Sequence, residues 1–190
     1  MKQLEEMILR EGKVLPGEIL KVGSFLNQII DTRLLAQMGD EIARLFEGCG
    51  VNKILTIEAS GIAIAAAAGM SMDVPVLFAK KHKTSNVDGT VYSTIVHSFT
   101  HNEDYNVVVS RDYLGADDCV LIVDDFLANG KALSGLVDLC DQAGATVAGI
   151  AIAIEKCFTG AGDRMRAEGV KLESLAMIES MSEDSVVFRS

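Results

Sequence analysis

From residue 31 onward, strand-like runs alternate with helix-like stretches, and that succession leaves few architectures open. Asp31 stands where it can cap a helix, and Leu34, Leu35, Met38, Ile42, Leu45 and Phe46 recur at helical spacing up to Gly48, which suits a helix end. A buried-strand run "KILTIE" (53–58) follows, then the alanine-rich "SGIAIAAAAGM" (60–70), small enough to pack closely on a sheet. Next come "PVLFAK" (75–80), "CVLIVD" (119–124), a helix through Leu133, Leu136, Val137 and Cys140 ending near Gly144, and "TVAGIAIAIEK" (146–156). Apolar strands joined in this way by helices form a mostly parallel sheet covered on both faces, so the expected class is α/β. At 190 residues the chain suits one domain with a full core, and no repeat or linker divides it.

Residues 80–114 break the alternation. "KKHKTSNVDG" is polar and basic, "TVYSTIVHSF" and "YNVVVSRDYL" alternate like exposed strands, and "THNED" between them reads as a turn. The pattern predicts an antiparallel hairpin inserted in the βα succession. Such an excursion serves either as a lid over a site or as an extension of the sheet that aids assembly.

Composition removes several functions. Hydrophobic residues make up 49% of the chain, yet no apolar run reaches the roughly 18 residues of a membrane span. The opening "MKQLEEMILREGK" mixes charges through its apolar positions, unlike a secretory signal, so a cytoplasmic, membrane-free protein is expected. Cys49, Cys119, Cys140 and Cys157 show no CxxC pairing and no metal-like spacing, which points to reduced thiols. With a net charge of −10, the chain lacks the basic surface that general nucleic-acid binding requires. Any anionic ligand must be held by local positive groups.

One stretch carries chemistry. In "VLIVDDFLANGKAL" (120–133), four apolar residues run into Asp124 and Asp125, then a short loop, then a helix start. Ligands of open parallel sheets bind beyond the carboxyl ends of the strands, where free N–H groups at a helix N-terminus attract phosphate. Paired carboxylates would repel phosphate but accept hydrogen bonds from vicinal hydroxyls. Together they suit a sugar phosphate.

That stretch resembles the phosphoribosyl-pyrophosphate (PRPP) signature of type I phosphoribosyltransferases, although Asn129 and Ala132 stand where the loop usually has threonines. "IEASGIAIAAAAG" (57–69) is similar to the pyrophosphate loop and following helix of the purine enzymes, and by itself also reads as an ordinary strand–helix turn. "VLPGEILKVGSFLNQIID" (14–31), "FLANGKAL" and "IEKCF" extend the likeness over nearly the whole chain, towards the bacterial xanthine-using branch of the family.

The resemblance implies a type I phosphoribosyltransferase fold: a mostly parallel sheet flanked by helices, an inserted flexible hairpin lid (80–114) and a small N-terminal hood (1–30). It implies that Asp124 and Asp125 bind ribose hydroxyls, that Ala128, Asn129, Gly130, Lys131 and Ala132 cradle the 5′-phosphate, and that Ala59 and Ser60 lie near the diphosphate. Leu20, Asn27 and Lys156 would meet the base, and Lys80, Lys81 and Lys83 would bring positive charge with the lid. On composition alone, a strand-end lysine such as Lys156 is a solvated charge.

The implied reaction is purine salvage: PRPP and xanthine give xanthosine 5′-monophosphate and pyrophosphate, with Mg²⁺ carried mainly by the substrate. The protein would act as a cytoplasmic homodimer. His97, His101, Glu103 and Asp104 are read as structural, not as a metal site. Related hypoxanthine–guanine enzymes place an Asp where Ala128 stands, which implies that the acidic purine xanthine binds already deprotonated. The alternatives are adenine, or a 6-oxopurine other than xanthine, as acceptor, or a PRPP-sensing transcription regulator on the same fold. The latter needs a basic DNA-reading module, and only about 30 residues precede the core.

Overall fold

The computed structural model describes residues 1–82, 90–98 and 103–189, with backbone alone at 82, 97, 98, 103 and 104. Lys83, His101 and the 100–102 part of the expected turn lie outside the described residues.

The chain begins with α1 (Lys2–Glu11), followed by a two-stranded hairpin of β1 (Lys13–Leu15) and β2 (Ile19–Lys21) and a π-type turn, Gly23–Asn27. Helix α2 (Thr32–Leu45) starts as its cap predicts, with Asp31 Oδ1 accepting from the Arg33 and Leu34 amides at 3.0 Å. Then come β3 (Lys53–Ile57), α3 (Gly61–Met72), β4 (Val76–His82), β5 (Val91–Ser98), β6 (Glu103–Ser110) and β7 (Cys119–Leu127). The chain continues through α4 (Lys131–Ala143), β8 (Thr146–Lys156), a 3₁₀ turn at Cys157–Thr159, α5 (Ala161–Ala167), β9 (Leu172–Ser182) and β10 (Ser185–Phe188).

Among the described residues, eight strands form one sheet in the order β10-β9-β8-β7-β3-β4-β6-β5. The run from β9 to β4 is parallel, while β10 at one edge and the β6–β5 hairpin at the other are antiparallel to their neighbours. The hairpin thus extends the sheet beyond β4.

Period-two alternation divides the apolar side chains between two cores. Leu121, Val123, Ala151 and Ala153 face α2 and α3, whereas Val120, Ile122, Ile150 and Ile152 face Leu133, Leu136 and Leu139 of α4. The alanine run of α3 lets α2 close in: a β-carbon at Gly39 would lie 2.6 Å from the Ala67 carbonyl. All four cysteines are free thiols, and burial pushes Cys140 up to about 12 and Cys157 up to about 11. No helix among the described residues is long and apolar enough to cross a membrane.

The topology locates the site. From β3 the chain steps through α3 to β4 on one side, while from β7, on the other side of β3, it steps away through α4 to β8. The strand order therefore reverses between β3 and β7, and ligands of open α/β sheets bind in the crevice at that switch.

Candidate active site

Both carboxyl ends at the switch open into one cleft of about 370 Å³. From β3 come Glu58, Ala59, Ser60 and Gly61; from β7 come Asp124, Asp125, Ala128 and Asn129; from the start of α4, Lys131 and Ala132. Lys156 closes the β8 side, and Lys81 with Val96, Tyr105 and Val107 closes the hairpin side. Three lysines thus meet three acids in the cleft, although the chain as a whole is strongly acidic.

At the floor, Asp124 Oδ1 accepts from the Asp125 amide at 2.9 Å, and Asp125 Oδ1 accepts from the Phe126 amide at 3.0 Å. Burial, and next the charge of Asp125, hold the Asp124 carboxyl well above the usual carboxylate range. Burial also raises Asp125, opposed by hydrogen bonds from Asp124, the Phe126 amide and the Ser60 side chain. Folding thereby favours protonated Asp124, so its stabilising contribution is full below the usual carboxylate value and is lost as pH rises through the raised one. An Asn at 124 mimics the protonated acid. Without ligand, Asp124→Asn should melt above the wild type at neutral pH, the gap closing near pH ~4. Melting curves across that range test this, and an Asn variant that melts lower at neutral pH would refute it.

Two glycines are dictated by what lies beneath them. A β-carbon on Gly61 would sit 2.2 Å from Thr56 Oγ1 and 3.2 Å from Asp124 Oδ1, so only glycine lets α3 start so close to the acid pair. Thr56 Oγ1 is the one buried side-chain oxygen among the described residues without a hydrogen-bond partner. Gly130 adopts φ +82°, and a β-carbon there would meet Met165 Cε of α5 at 2.9 Å. The β7–α4 loop therefore rests directly on α5.

Asn129, standing in for a threonine, has a structural use: its Oδ1 accepts from the Lys131 amide at 3.1 Å, and Ser134 N and Oγ both donate to Gly130 O. The carboxamide orders the helix start from within the loop. Lys156 Nζ donates to Glu18 O at 2.7 Å, which ties the β8 side of the cleft to the tip of the β1–β2 hairpin. Burial lowers the Lys156 ammonium below the usual lysine value, opposed by the charge of Glu18.

The cleft gathers Asp124, Asp125, Lys156, Ala128, Asn129, Lys131, Ala132, Ala59, Ser60 and Lys81 among the residues expected from the sequence. It does not gather Leu20, which is buried in the core, Asn27, exposed at the end of the π-type turn, or Gly130, which is buried between Asn129 and Lys131. Strand alternation turns Lys80 to the face opposite Lys81. Sequence reasoning missed Glu58, whose Oε1 accepts from the Lys81 amide at 2.6 Å, and the hairpin wall of Val96, Tyr105 and Val107. A carboxylate ending "KILTIE" was a usable signal for Glu58. The hairpin wall had none, because its position depends on which sheet edge the hairpin joins.

An acid pair and a loop running into a helix N-terminus thus meet at the switch point of an open, mostly parallel α/β sheet. A family model described as phosphoribosyl transferase domain matches residues 28–182. Xanthine phosphoribosyltransferase of Bifidobacterium longum is 53% identical over 192 residues, covering 100% of both chains. That of Finegoldia magna is 51% identical over 188 residues, covering 99% of both. In fold, adenine phosphoribosyltransferase of Giardia lamblia, solved with 9-deazaadenine, superposes with a TM-score of 0.75 at 19% identity, over 90% of this chain and 96% of that one. The chain belongs to the phosphoribosyltransferase family.

Proposed function

We propose that the cleft takes PRPP and xanthine and joins them into xanthosine 5′-monophosphate, releasing pyrophosphate. The observation that carries this is the convergence of an acid pair, a phosphate loop and a partly desolvated lysine in one cleft. Identity above 50% along the whole chain with curated xanthine phosphoribosyltransferases supports the choice of base. The 5′-phosphate sits on the loop from Ala128 to Ala132, the ribose hydroxyls on Asp124 and Asp125, and the diphosphate beside Ala59 and Ser60.

A purine nitrogen forms a bond to ribose C1 as the bond to the diphosphate oxygen breaks, and positive charge grows on the ribosyl ring as in other glycosyl transfers. The acid pair lies where it can stabilise that charge, and the lysines hold the anionic ends in line. With Ala128 at the loop, no side chain there takes a proton from the base, which suits a purine bound as its anion.

The donor set fits a substrate-borne Mg²⁺. Among the described residues no group of three or more His, Cys, Asp or Glu is placed to hold a metal ion. Asp124 and Asp125 nonetheless offer hard oxygen atoms beside the diphosphate position. When bound, the ion neutralises charge on the leaving diphosphate. The same reading makes the protein a cytoplasmic homodimer, with Lys80 and Lys81 at the base of a lid.

Incubation with PRPP, Mg²⁺ and each of five nucleobases tests the assignment, and turnover of adenine in preference to xanthine would overturn it. Lys156 gives a sharper test. The 6-oxo group of xanthine, hypoxanthine or guanine accepts a hydrogen bond, whereas adenine presents an amino donor there, and a site built around one bond rejects the analogue that leaves it unpaired. Lys156→Met keeps the stem and removes the donor. Its kcat/KM for xanthine should fall at least ~10-fold, about 1.4 kcal/mol, with KM for PRPP little changed. Intact use of xanthine with weaker PRPP binding would move the lysine to the phosphate site.

A further inference from the structure

The 3₁₀ turn after β8 touches both halves of the cleft through one hydroxyl. Thr159 Oγ1 donates to Lys156 O at 2.9 Å and to Ala128 O at 2.5 Å, the latter 31 residues away in sequence. The Ala161 amide reaches the same oxygen from 3.5 Å. A hydroxyl has one proton, so the two carbonyls share it, and both strand ends are held to a single point.

The identity of those two carbonyls matters. Ala128 opens the phosphate loop, and a carbonyl turned into an anion site would repel the phosphate; Thr159 holds this one from outside the cleft. Lys156 carries the ammonium that meets the base, and its own carbonyl is the other acceptor. Gly130 resting on Met165 of α5 supplies a second contact beneath the loop, but an apolar one that fixes distance without fixing orientation.

We propose that Thr159 is a positioning residue that sets the separation between the phosphate loop and the strand end bearing Lys156, and so the length of nucleotide the cleft accepts. The proposal rests on the reading of the cleft given above. Wild-type turnover of xanthine tests that reading. The ratio of variant to wild-type affinity tests the role of Thr159, so the two failures are told apart.

Thr159→Val keeps the shape and removes the donor; Thr159→Ser keeps the donor. Dissociation constants are measured for ribose 5-phosphate, which fills the phosphate end alone, and for xanthosine 5′-monophosphate, which spans both ends. In Thr159→Val the nucleotide should weaken about 10-fold and ribose 5-phosphate about threefold or less, the scale of one lost hydrogen bond. Thr159→Ser should bind both within about twofold of wild type. Should the valine variant not fold, Thr159→Ala is compared with Thr159→Ser in the same way. Equal losses on the two ligands, or a serine variant as weak as the one lacking the hydroxyl, would overturn the proposal.

Discussion

Replacing Asp125 by Asn should lower kcat with xanthine and PRPP by about 10- to 150-fold while leaving the fold intact. The side chain keeps its size, and its remaining carbonyl oxygen can still accept from the Phe126 amide, a bond of 3.0 Å in the structure. What disappears is a charge beside the position of the ribosyl ring. Losing a charge-assisted contact in the transition state costs roughly 1.5–3 kcal/mol, the origin of the predicted range. Initial rates of pyrophosphate release, with a melting curve to verify folding, decide the matter. A folded variant turning over within twofold of wild type would make the pair a structural feature of the strand end.

The largest effect on stability is expected one strand further along. Glu155 is fully buried at the end of β8, held by Arg166 of α5 through both terminal guanidinium nitrogens at 3.0 and 2.6 Å, with the Ser174 hydroxyl donating to the same carboxylate. Arg166 also donates to Leu172 O at 3.1 Å. Arg166→Met strands a buried carboxylate with one hydroxyl for company, and breaking such a pair on one side costs about 3–5 kcal/mol. Adding Glu155→Gln removes the stranded charge and should return much of that loss. Urea unfolding of the single and double variants measures both, and a single variant within about 1 kcal/mol of wild type would show that water reaches the carboxylate.

Elements buried on both faces were legible in the sequence, because nothing but their own composition sets them. "TVAGIAIAIEK" was read as a strand over 146–156, and β8 spans Thr146–Lys156. The Asp31 cap and the helix end at Gly144, which adopts φ +71°, were equally readable, since each depends on one side chain or its absence. Strand β9, with serines and glutamates among its apolar positions, carried no such signal, and its burial comes from lying between β8 and β10. In the site, the acid pair and loop followed from local order along one strand. Leu20 and Asn27 rested on family likeness alone, and the structure leaves both outside the cleft. The Glu155–Arg166 pair joins a strand end to a separate helix across a turn, so the pattern within neither element marks it.

The contact between α4 and the β5 strand turns on an absent methyl group. At Gly135 a β-carbon would stand 2.6 Å from Val96 Cγ2 and 3.2 Å from Thr94 Cγ2, so the helix bears on the hairpin with nothing between them. The same helix begins at Lys131, which lines the cleft, and Val96 is part of the cleft wall. One rigid rod therefore has its two bearings on the loop that follows the acid pair and on the hairpin wall of the same cleft. A single added carbon at residue 135 would act as a shim, prising the wall outwards and widening the cleft from a point more than one helical turn behind the chemistry.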